Sequence, residues 1–306
     1  MFVNNYFILG KKLPFVLKKY KVTLGKTIQL ALIQDLSLNR KILQRYLSRG
    51  RIFNSDNIAY KISDIIKEDY IYVAQFEGHT RGLKPLLNFR DFALFDKPSH
   101  LMVHPISKKT AYSLLDEIRF HFGENSNLAH RIDAETSGLV LVSKNKKSEL
   151  VLKKMFEDKV YKKSYLALVE GRVENSIIIE DGIKKENGNI GVKMMTAPDG
   201  KKSKTTIHSI KYYEDTNTTL VEAIPLTGRQ HQIRVHLCSV GHRIVGDPIY
   251  GVSEEIADKY LCKTLSVEDR VKYTGAKRLW LHANYLEFEY DKAIYKIYSK
   301  MKLPFN

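Results

Sequence analysis

A nine-residue segment, His130 to Gly138, contains a histidine, an arginine, two carboxylates, two hydroxyls and a glycine. The apolar run Leu139 to Val142 follows it directly. A polar turn that leads into a buried strand holds a reactive carboxylate on rigid backbone. Asp133 is therefore the first candidate for a catalytic residue, although a lone aspartate in a turn is more often a cap or an Asx-turn residue.

Glu135 raises a different possibility, a pair of carboxylates of the kind that hydrolyses glycosidic bonds. Residues two apart on an extended segment share one face, so the spacing leaves a pairing with Asp133 open. The segment has the composition of a turn, however, and both carboxylates would then come from one short loop. We expect Glu135 to be solvated.

A second cluster, Thr227 to His236, contains two arginines, two histidines and two glutamines. The plain alternative is a polar strand on the surface. His231 and His236 are five residues apart, which is not the spacing of a helical zinc pair. Because the planar guanidinium suits phosphate and carboxylate, the cluster favours recognition of those groups over a metal.

The composition indicates that this chain is a basic protein that binds a polyanion. The 306 residues are enough for about two domains, and 50 Lys and Arg against 34 Asp and Glu give a net charge of +16. Such a surface gains affinity for nucleic acid by releasing counterions. An anionic membrane surface and simple solubility are the alternatives.

Two cysteines without zinc spacing fit a reducing cytoplasm, and no signal peptide or membrane-spanning run is recognisable.

The chain divides into four segments by pattern: a basic arm or leading strand at 1–24, a small module at 25–77, a linker at 78–85 and a larger domain at 86–306. In the module, helices are predicted at 27–34 and 38–48, the second with Ser37 as N-cap and Gly50 as its end. Short strands follow at 51–54 and 70–73. Five basic residues cluster along and after the second helix, which suggests an RNA-binding face: Arg40, Lys41, Arg45, Arg49 and Arg51.

The larger domain has short apolar runs that are rich in β-branched and aromatic residues, at 92–95, 139–142, 165–169, 219–223 and 286–290. Helical patterns are fewer, the clearest at 111–122 and 149–156, and 252–275 has the character of a variable insertion with some helix. This balance predicts an α+β fold with a mixed, mainly antiparallel sheet, preceded by the small α/β module.

Taken in chain order, the motifs of residues 86–306 resemble the RluA family of pseudouridine synthases. The shared motifs are His130-Arg131-Ile132-Asp133 with Thr136-Ser137-Gly138, Gly228-Arg229 with His231-Gln232-Ile233-Arg234, and Gly246-Asp247 with Tyr250-Gly251. Lys97-Pro98 and Lys163 with Tyr165 are weaker matches, and His100 stands where the family often has glycine. The module at 25–77 is similar to the S-four RNA-binding module, a common companion of that domain.

The resemblance implies an isomerase that detaches uracil from the ribose of a uridine in RNA, rotates it and rejoins it through a carbon. Asp133 would be the catalytic carboxylate, Arg234 would pair with it and keep it ionised, and Tyr165 would lie against the base and assist proton removal. The uridine would flip out of its stack. The residues implied in substrate binding are His130, Arg131, Thr136, Arg229, His231 and Gln232. No cofactor or metal is implied.

The attached module makes large-subunit ribosomal RNA the expected target, with transfer RNA as an alternative. A non-catalytic RNA-binding protein of ribosome assembly and a carboxylate-based RNA glycosidase or nuclease are the competing hypotheses. We expect a cytoplasmic monomer that acts on RNA and not at a membrane.

Overall fold

The computed structural model describes residues 7–8, 11–12, 15–105 and 110–301. Two compact units are distinguished, and each is described by itself. Unit 1 is Met1–Leu83, Ser107–Tyr112 and Asp116–Glu124, and unit 2 is Lys84–Ile106, Ser113–Leu115 and Asn125–Asn306. Of the expected N-terminal arm, residues 1–6, 9–10 and 13–14 lie outside the described residues, and residues 15–21 form a strand.

The helices of the described residues are α1 (Ile28–Gln34), α2 (Arg40–Ser48), α3 (Leu114–Phe122), α4 (Lys146–Glu157), α5 (Gln232–Ser239), α6 (Glu254–Leu261) and α7 (Val267–Thr274). The strands are β1 (Phe7–Ile8), β2 (Lys11–Lys12), β3 (Phe15–Lys21), β4 (Ile52–Phe53), β5 (Tyr70–Phe76), β6 (Leu87–Asn88), β7 (Phe92–Lys97), β8 (Asn127–Leu128), β9 (Ser137–Ser143), β10 (Tyr161–Glu170), β11 (Ile177–Ile179), β12 (Ile183–Lys185), β13 (Met194–Thr196), β14 (Thr205–Tyr213), β15 (Thr218–Pro225), β16 (Leu281–Tyr290) and β17 (Ala293–Tyr298).

In unit 1, α1 and α2 share a core with an antiparallel sheet of order β3-β5-β4. The Thr27 side chain caps α1 by accepting a hydrogen bond from the Leu30 amide. Helix α2 starts after Asn39, whose side chain accepts from the Ile42 amide, so the prediction of Ser37 as the N-cap is wrong. Ser37 instead turns the chain between the helices in a left-handed conformation, with φ at 52°.

Unit 2 contains a sheet of ten strands in the order β11-β14-β15-β10-β16-β9-β7-β6, with β17 beside β16 and β8 beside β9. The pairs are antiparallel except β9 with β16, which is parallel. The prediction of an α+β fold with a mixed, mainly antiparallel sheet is confirmed. Strand β9 is buried along its whole length, as expected for a central strand.

The parallel junction between β9 and β16 is close-packed. Ser137 pairs with His282 and Gly138 with Ala283. Gly138 has φ at 108°, and a Cβ there would lie 2.3 Å from the carbonyl oxygen of Ala283. Only glycine fits this position, because any side chain would collide with backbone. The loop that precedes β9 is therefore anchored at its C-terminal end.

The polar cluster at 227–236 does not form the surface strand that was the plain alternative. It is a loop followed by α5, and residues 232–237 of that helix are buried. His231, just before α5, has φ at 54° and turns the chain into the helix. The predicted helical character of 252–275 is confirmed by α6 and α7. Among the described residues, no helix is long and apolar enough to cross a membrane.

Candidate active site

Asp133 lies in the loop before β9, at the wall of a cavity in unit 2. Lys97 holds this loop from behind, donating to the carbonyl oxygens of Ala134 at 3.0 Å, Pro98 at 2.9 Å and Leu101 at 2.8 Å. The lysine is fully buried, and burial lowers its pKa to about 7. The Lys97 ammonium therefore ties the turn that presents Asp133, through Ala134, to the segment that follows β7, through Pro98 and Leu101.

The Asp133 carboxylate is 31% exposed and faces a buried arginine. Nη1 of Arg234 lies 3.5 Å from Oδ2 of Asp133. Another edge of the guanidinium donates to Asp247, from Nε to Oδ2 at 2.7 Å and from Nη2 to Oδ1 at 2.8 Å. This fork-to-fork pairing orients Arg234 and leaves Nη1 directed at Asp133.

Asp247 is held as firmly as the arginine it binds. Its Oδ1 also accepts hydrogen bonds from the amides of Ile249 at 2.9 Å and Tyr250 at 3.0 Å. Gly246 before it has φ at 82°, and a Cβ there would lie 1.8 Å from the Arg278 carbonyl oxygen. The Gly-Asp turn is thus a rigid support for the Asp133–Arg234 pair.

Tyr165 and Lys163, on β10, line the same cavity as Asp133. Burial raises the pKa of Tyr165 above its usual value, and the charge of Asp133 adds to this effect. The phenol is therefore neutral at pH 7 and can donate a hydrogen bond to a bound base. Burial lowers the pKa of Lys163 to about 8, and no carboxylate of the described residues forms an ion pair with it.

His231 is a second neighbour of the Asp133 carboxylate, with Nε2 at 3.9 Å from Oδ2. Its Nδ1 lies 2.8 Å from the Tyr250 hydroxyl, which accepts from the Met194 amide at 3.0 Å and so has its own hydrogen free for Nδ1. We therefore assign the proton of the neutral ring to Nε2, towards Asp133. Burial, aided by Arg234, lowers the pKa of His231 to about 4.

Gln232 lines the cavity and holds neighbouring segments of its wall together. Its Oε1 accepts from Thr227 Oγ1 at 2.7 Å and from the Arg229 amide at 3.0 Å, and its Nε2 donates to the Lys204 carbonyl at 2.9 Å. The Arg229 side chain is exposed and donates to the carbonyl oxygen of Lys202 at 3.1 Å. The three residues expected to bind substrate in this segment, Arg229, His231 and Gln232, all line the cavity.

The remaining motif residues of the loop differ in whether they line the cavity. Arg131, exposed, and Thr136, buried, line the cavity. His130 does not: its Nε2 accepts from the Leu141 amide at 3.0 Å and its ring packs 4.5 Å from that of Phe156. Burial lowers the pKa of His130 to about 3, so the ring stays neutral behind the loop.

The expectation that Glu135 is solvated is wrong. The side chain is buried and accepts from Arg270 Nη2 at 2.5 Å, Tyr260 Oη at 2.7 Å and His100 Nδ1 at 2.8 Å. His100 adopts φ at 66°, a left-handed conformation that glycine adopts with less strain than other residues. With both oxygens of Glu135 bound, the alternative of a reactive pair with Asp133 loses its second carboxylate.

The basic residues of the first unit also fall into two groups. Arg45, Arg49 and Arg51 each place Nη1 within 3.8 Å of the Glu124 carboxylate, at 3.2, 3.8 and 2.7 Å. Arg40 and Lys41 at the start of α2 are exposed. An arginine that pairs with a carboxylate is less available to phosphate, so Arg40 and Lys41 are the freer cations of this set.

Sequence reasoning left three contributors out of the site. Lys163 lies two residues before Tyr165, a spacing that places both on the same face of a strand. Asp247 was part of the Gly-Asp motif without a role of its own. Lys97 was noted only beside Pro98. Across the part of the chain that the structure describes, no group of three or more His, Cys, Asp or Glu side chains could hold a metal ion.

Comparisons with known proteins point to one reaction. Residues 91–239 match the family model described as RNA pseudouridylate synthase. The chain is 39% identical over 293 residues to an uncharacterized RNA pseudouridine synthase of Helicobacter pylori strain J99, covering 94% of this chain and 97% of that protein. The structure resembles that of human RNA pseudouridylate synthase domain containing 1, with a TM-score of 0.59, 25% identity and coverage of 74% and 86%.

Two other relatives carry names that state a substrate. The ribosomal large subunit pseudouridine synthase C of Haemophilus ducreyi is 33% identical over 203 residues, covering 65% of this chain and 59% of that protein. The mitochondrial tRNA pseudouridine(32) synthase of Saccharomyces cerevisiae is 28% identical over 258 residues, covering 79% and 55%.

Proposed function

Because this chain belongs to the RluA family of RNA pseudouridine synthases, we propose that Asp133 is its catalytic carboxylate and that it modifies uridine in large-subunit ribosomal RNA. The chain is an RNA pseudouridine synthase, an isomerase. The observation that carries the role of Asp133 is its position: a partly exposed carboxylate at a cavity wall, 3.5 Å from a buried arginine that Asp247 orients.

In this proposal Asp133 attacks the flipped nucleoside or stabilises its charge while the glycosidic bond breaks. Arg234 orients the carboxylate and supplies a compensating positive charge, with Nη1 at 3.5 Å from Oδ2. Tyr165 lies against the base as a neutral phenol. To assist removal of the proton from the rejoined carbon, it must first lose its own, which its raised pKa makes costly.

The uridine must leave its stack to reach the cavity, and the exposed guanidiniums of Arg131 and Arg229 stand at its wall. We propose that they hold phosphates of the flipped strand, with His231, Thr136 and Gln232 shaping the pocket. His130 acts indirectly in this scheme, by supporting β9 from behind the loop. No cofactor takes part.

The preference for ribosomal RNA is supported by the relative named as a large-subunit synthase. Transfer RNA is the second candidate, supported by the yeast relative, whose match covers more of this chain. We propose that the first unit contributes RNA affinity through the exposed Arg40 and Lys41 of α2, with Arg45, Arg49 and Arg51 adding positive potential around Glu124. We also propose a monomer in the cytoplasm, where Cys238 and Cys262 remain free thiols.

The test is an Asp133→Asn variant assayed on total RNA from cells that lack the gene. The wild type should form pseudouridine in RNA of unchanged length and mass, and the variant should form none while binding RNA as before. Full activity of the variant would refute the role of Asp133. A wild type that binds RNA but forms no pseudouridine would instead favour a non-catalytic protein. Free uracil or cut strands would indicate a glycosidase or nuclease. Mapping pseudouridines in cells with and without the gene separates ribosomal from transfer RNA.

A further inference from the structure

Glu135 lies two residues after Asp133 and is tied to a part of the chain far away in sequence. Arg270 on α7 donates from Nη2 to Glu135 Oε2 at 2.5 Å, and Tyr260 on α6 donates to Oε1 at 2.7 Å. Arg270 and Glu135 are both buried, at 7% and 5% exposure. Burial alone would raise the pKa of Glu135, but the hydrogen bonds from His100 and Arg270 outweigh it and lower the pKa to about 2.

The same nitrogen of Arg270 has a second acceptor. Nη2 lies 3.0 Å from the carbonyl oxygen of Gly246. The Gly246 amide in turn donates to the Thr274 carbonyl at 2.6 Å, and the Thr274 hydroxyl donates to the Arg270 carbonyl at 2.7 Å. Helix α7 thus makes two hydrogen bonds to Gly246, one from the Arg270 side chain and one to the Thr274 carbonyl, and one hydrogen bond to Glu135.

These contacts reach both halves of the Asp133–Arg234 pair. On one side, Glu135 belongs to the loop that carries Asp133. On the other side, Gly246 precedes Asp247, which orients Arg234 through two hydrogen bonds. One guanidinium therefore connects the backbone that carries the carboxylate with the backbone that supports its partner. The gap of 3.5 Å between Asp133 and Arg234 is wide for an ion pair, so a small shift of either loop changes it appreciably.

We infer that Arg270 is a positioning residue of the synthase, which acts with Glu135 to set the separation between Asp133 and Arg234. The segment α6–α7, which has the character of a variable insertion in sequence, is then part of the catalytic apparatus. Since the effect passes through Asp133, the inference rests on the proposed role of that residue. Arg270 does not line the cavity, so the role assigned to it is to act through Glu135 and Gly246.

The test compares single-turnover pseudouridine formation, with enzyme in excess over RNA from cells that lack the gene, across Arg270→Met, Glu135→Gln and a matched control. The control is Glu149→Gln: Glu149 has the same 5% exposure as Glu135, accepts from Lys153 at 2.6 Å and Lys146 at 3.0 Å, and does not line the cavity. We expect the two site variants to lose about 10- to 100-fold in rate constant, the scale that small misplacements cause. Affinity for RNA should not change, and the control should keep the wild-type rate constant.

Two further variants separate positioning from folding. Tyr260→Phe removes only one hydrogen bond and should lower the rate in the same direction by less, even if Arg270→Met fails to fold. The double variant Glu135→Leu/Arg270→Met replaces a buried ion pair by apolar groups, which often restores stability, and its rate constant should stay low.

The inference is overturned if Arg270→Met or Tyr260→Phe has the rate constant of Glu149→Gln, or if the double variant regains the wild-type rate along with stability. An Asp133→Asn sample runs in parallel. If that variant is active, the proposed role of Asp133 fails; if it is inactive while Arg270→Met reacts at the wild-type rate, only the positioning role of Arg270 fails.

Discussion

Substituting Asp247 by asparagine should damage both folding and catalysis, although the side chain keeps its shape. Asp247 is 1% exposed and makes four hydrogen bonds, two of them to Arg234. An asparagine can keep its oxygen in the Oδ1 position, so the two amide donors and Nη2 retain an acceptor. The bond to Nε is lost, and Arg234 loses the negative charge that compensates it in the interior.

The magnitude follows from those losses. A hydrogen bond to a charged group contributes about 1.5–3 kcal/mol, and breaking a buried ion pair costs about 3–5 kcal/mol. Because Asp133 still offers a partial counter-charge at 3.5 Å, we expect about 3 kcal/mol of lost unfolding free energy. A domain with an ordinary unfolding free energy of about 5–15 kcal/mol remains folded after a loss of this size. Once Arg234 is free to move, the single-turnover rate should fall by about 10- to 100-fold.

Urea unfolding and single-turnover pseudouridine formation measure the two effects. The matched control is Asp199→Asn, since Asp199 pairs with Lys184 at 2.8 Å but is exposed, and an exposed pair contributes little. Wild-type stability and rate in Asp247→Asn would show that Arg234 does not depend on its fork-to-fork partner.

Three other outcomes are expected. Tyr165→Phe should slow single turnover by about 100-fold and leave RNA affinity unchanged, because only the hydroxyl is lost; equal rates would contradict a proton-transfer role. Replacing Arg40 and Lys41 by alanine should weaken RNA binding and lower the salt slope by about two, one per lost phosphate contact; an unchanged slope would place RNA elsewhere. The pKa of His130, about 3 when folded against 6.5 in the unfolded chain, lies below its unfolded value. The unfolded state therefore binds more protons below pH 6.5, and stability should fall by about 2 kcal/mol at pH 5. A His130→Gln variant with the same pH slope in urea unfolding would refute this.

Local signals in the sequence were enough for much of the site. Asp133, Tyr165 and Arg234 come from three separate motifs, and the structure places the first two at one cavity and the third against Asp133. The strands were predictable because their apolar runs are short and β-branched, as in β9.

The errors have a common physical cause, which is tertiary contact. Glu135 has the local pattern of a solvated residue. Its partner Arg270 is 135 residues away, so the sequence around Glu135 contains no signal that the side chain is buried. Ser37 is a good capping residue by type, yet Asn39 caps α2 because Ser37 is used in the turn between the helices. For 227–236 no helix was predicted, because α5 is buried partly through polar groups such as Gln232 and lacks the apolar periodicity that distinguishes helix from strand.

The parallel contact between β9 and β16 also bears on how the enzyme is made. Ser137 and His282, whose side chains meet at 2.9 Å, are 145 residues apart. Closing so long a loop is slow and entropically unfavourable until the partners are both present. During translation, a nascent chain still lacking β16 has the whole loop of Asp133 and can pair Gly138 with Lys97 of β7, but it lacks the parallel partner of β9. The site is therefore complete only after the ribosome has synthesised the chain through β16.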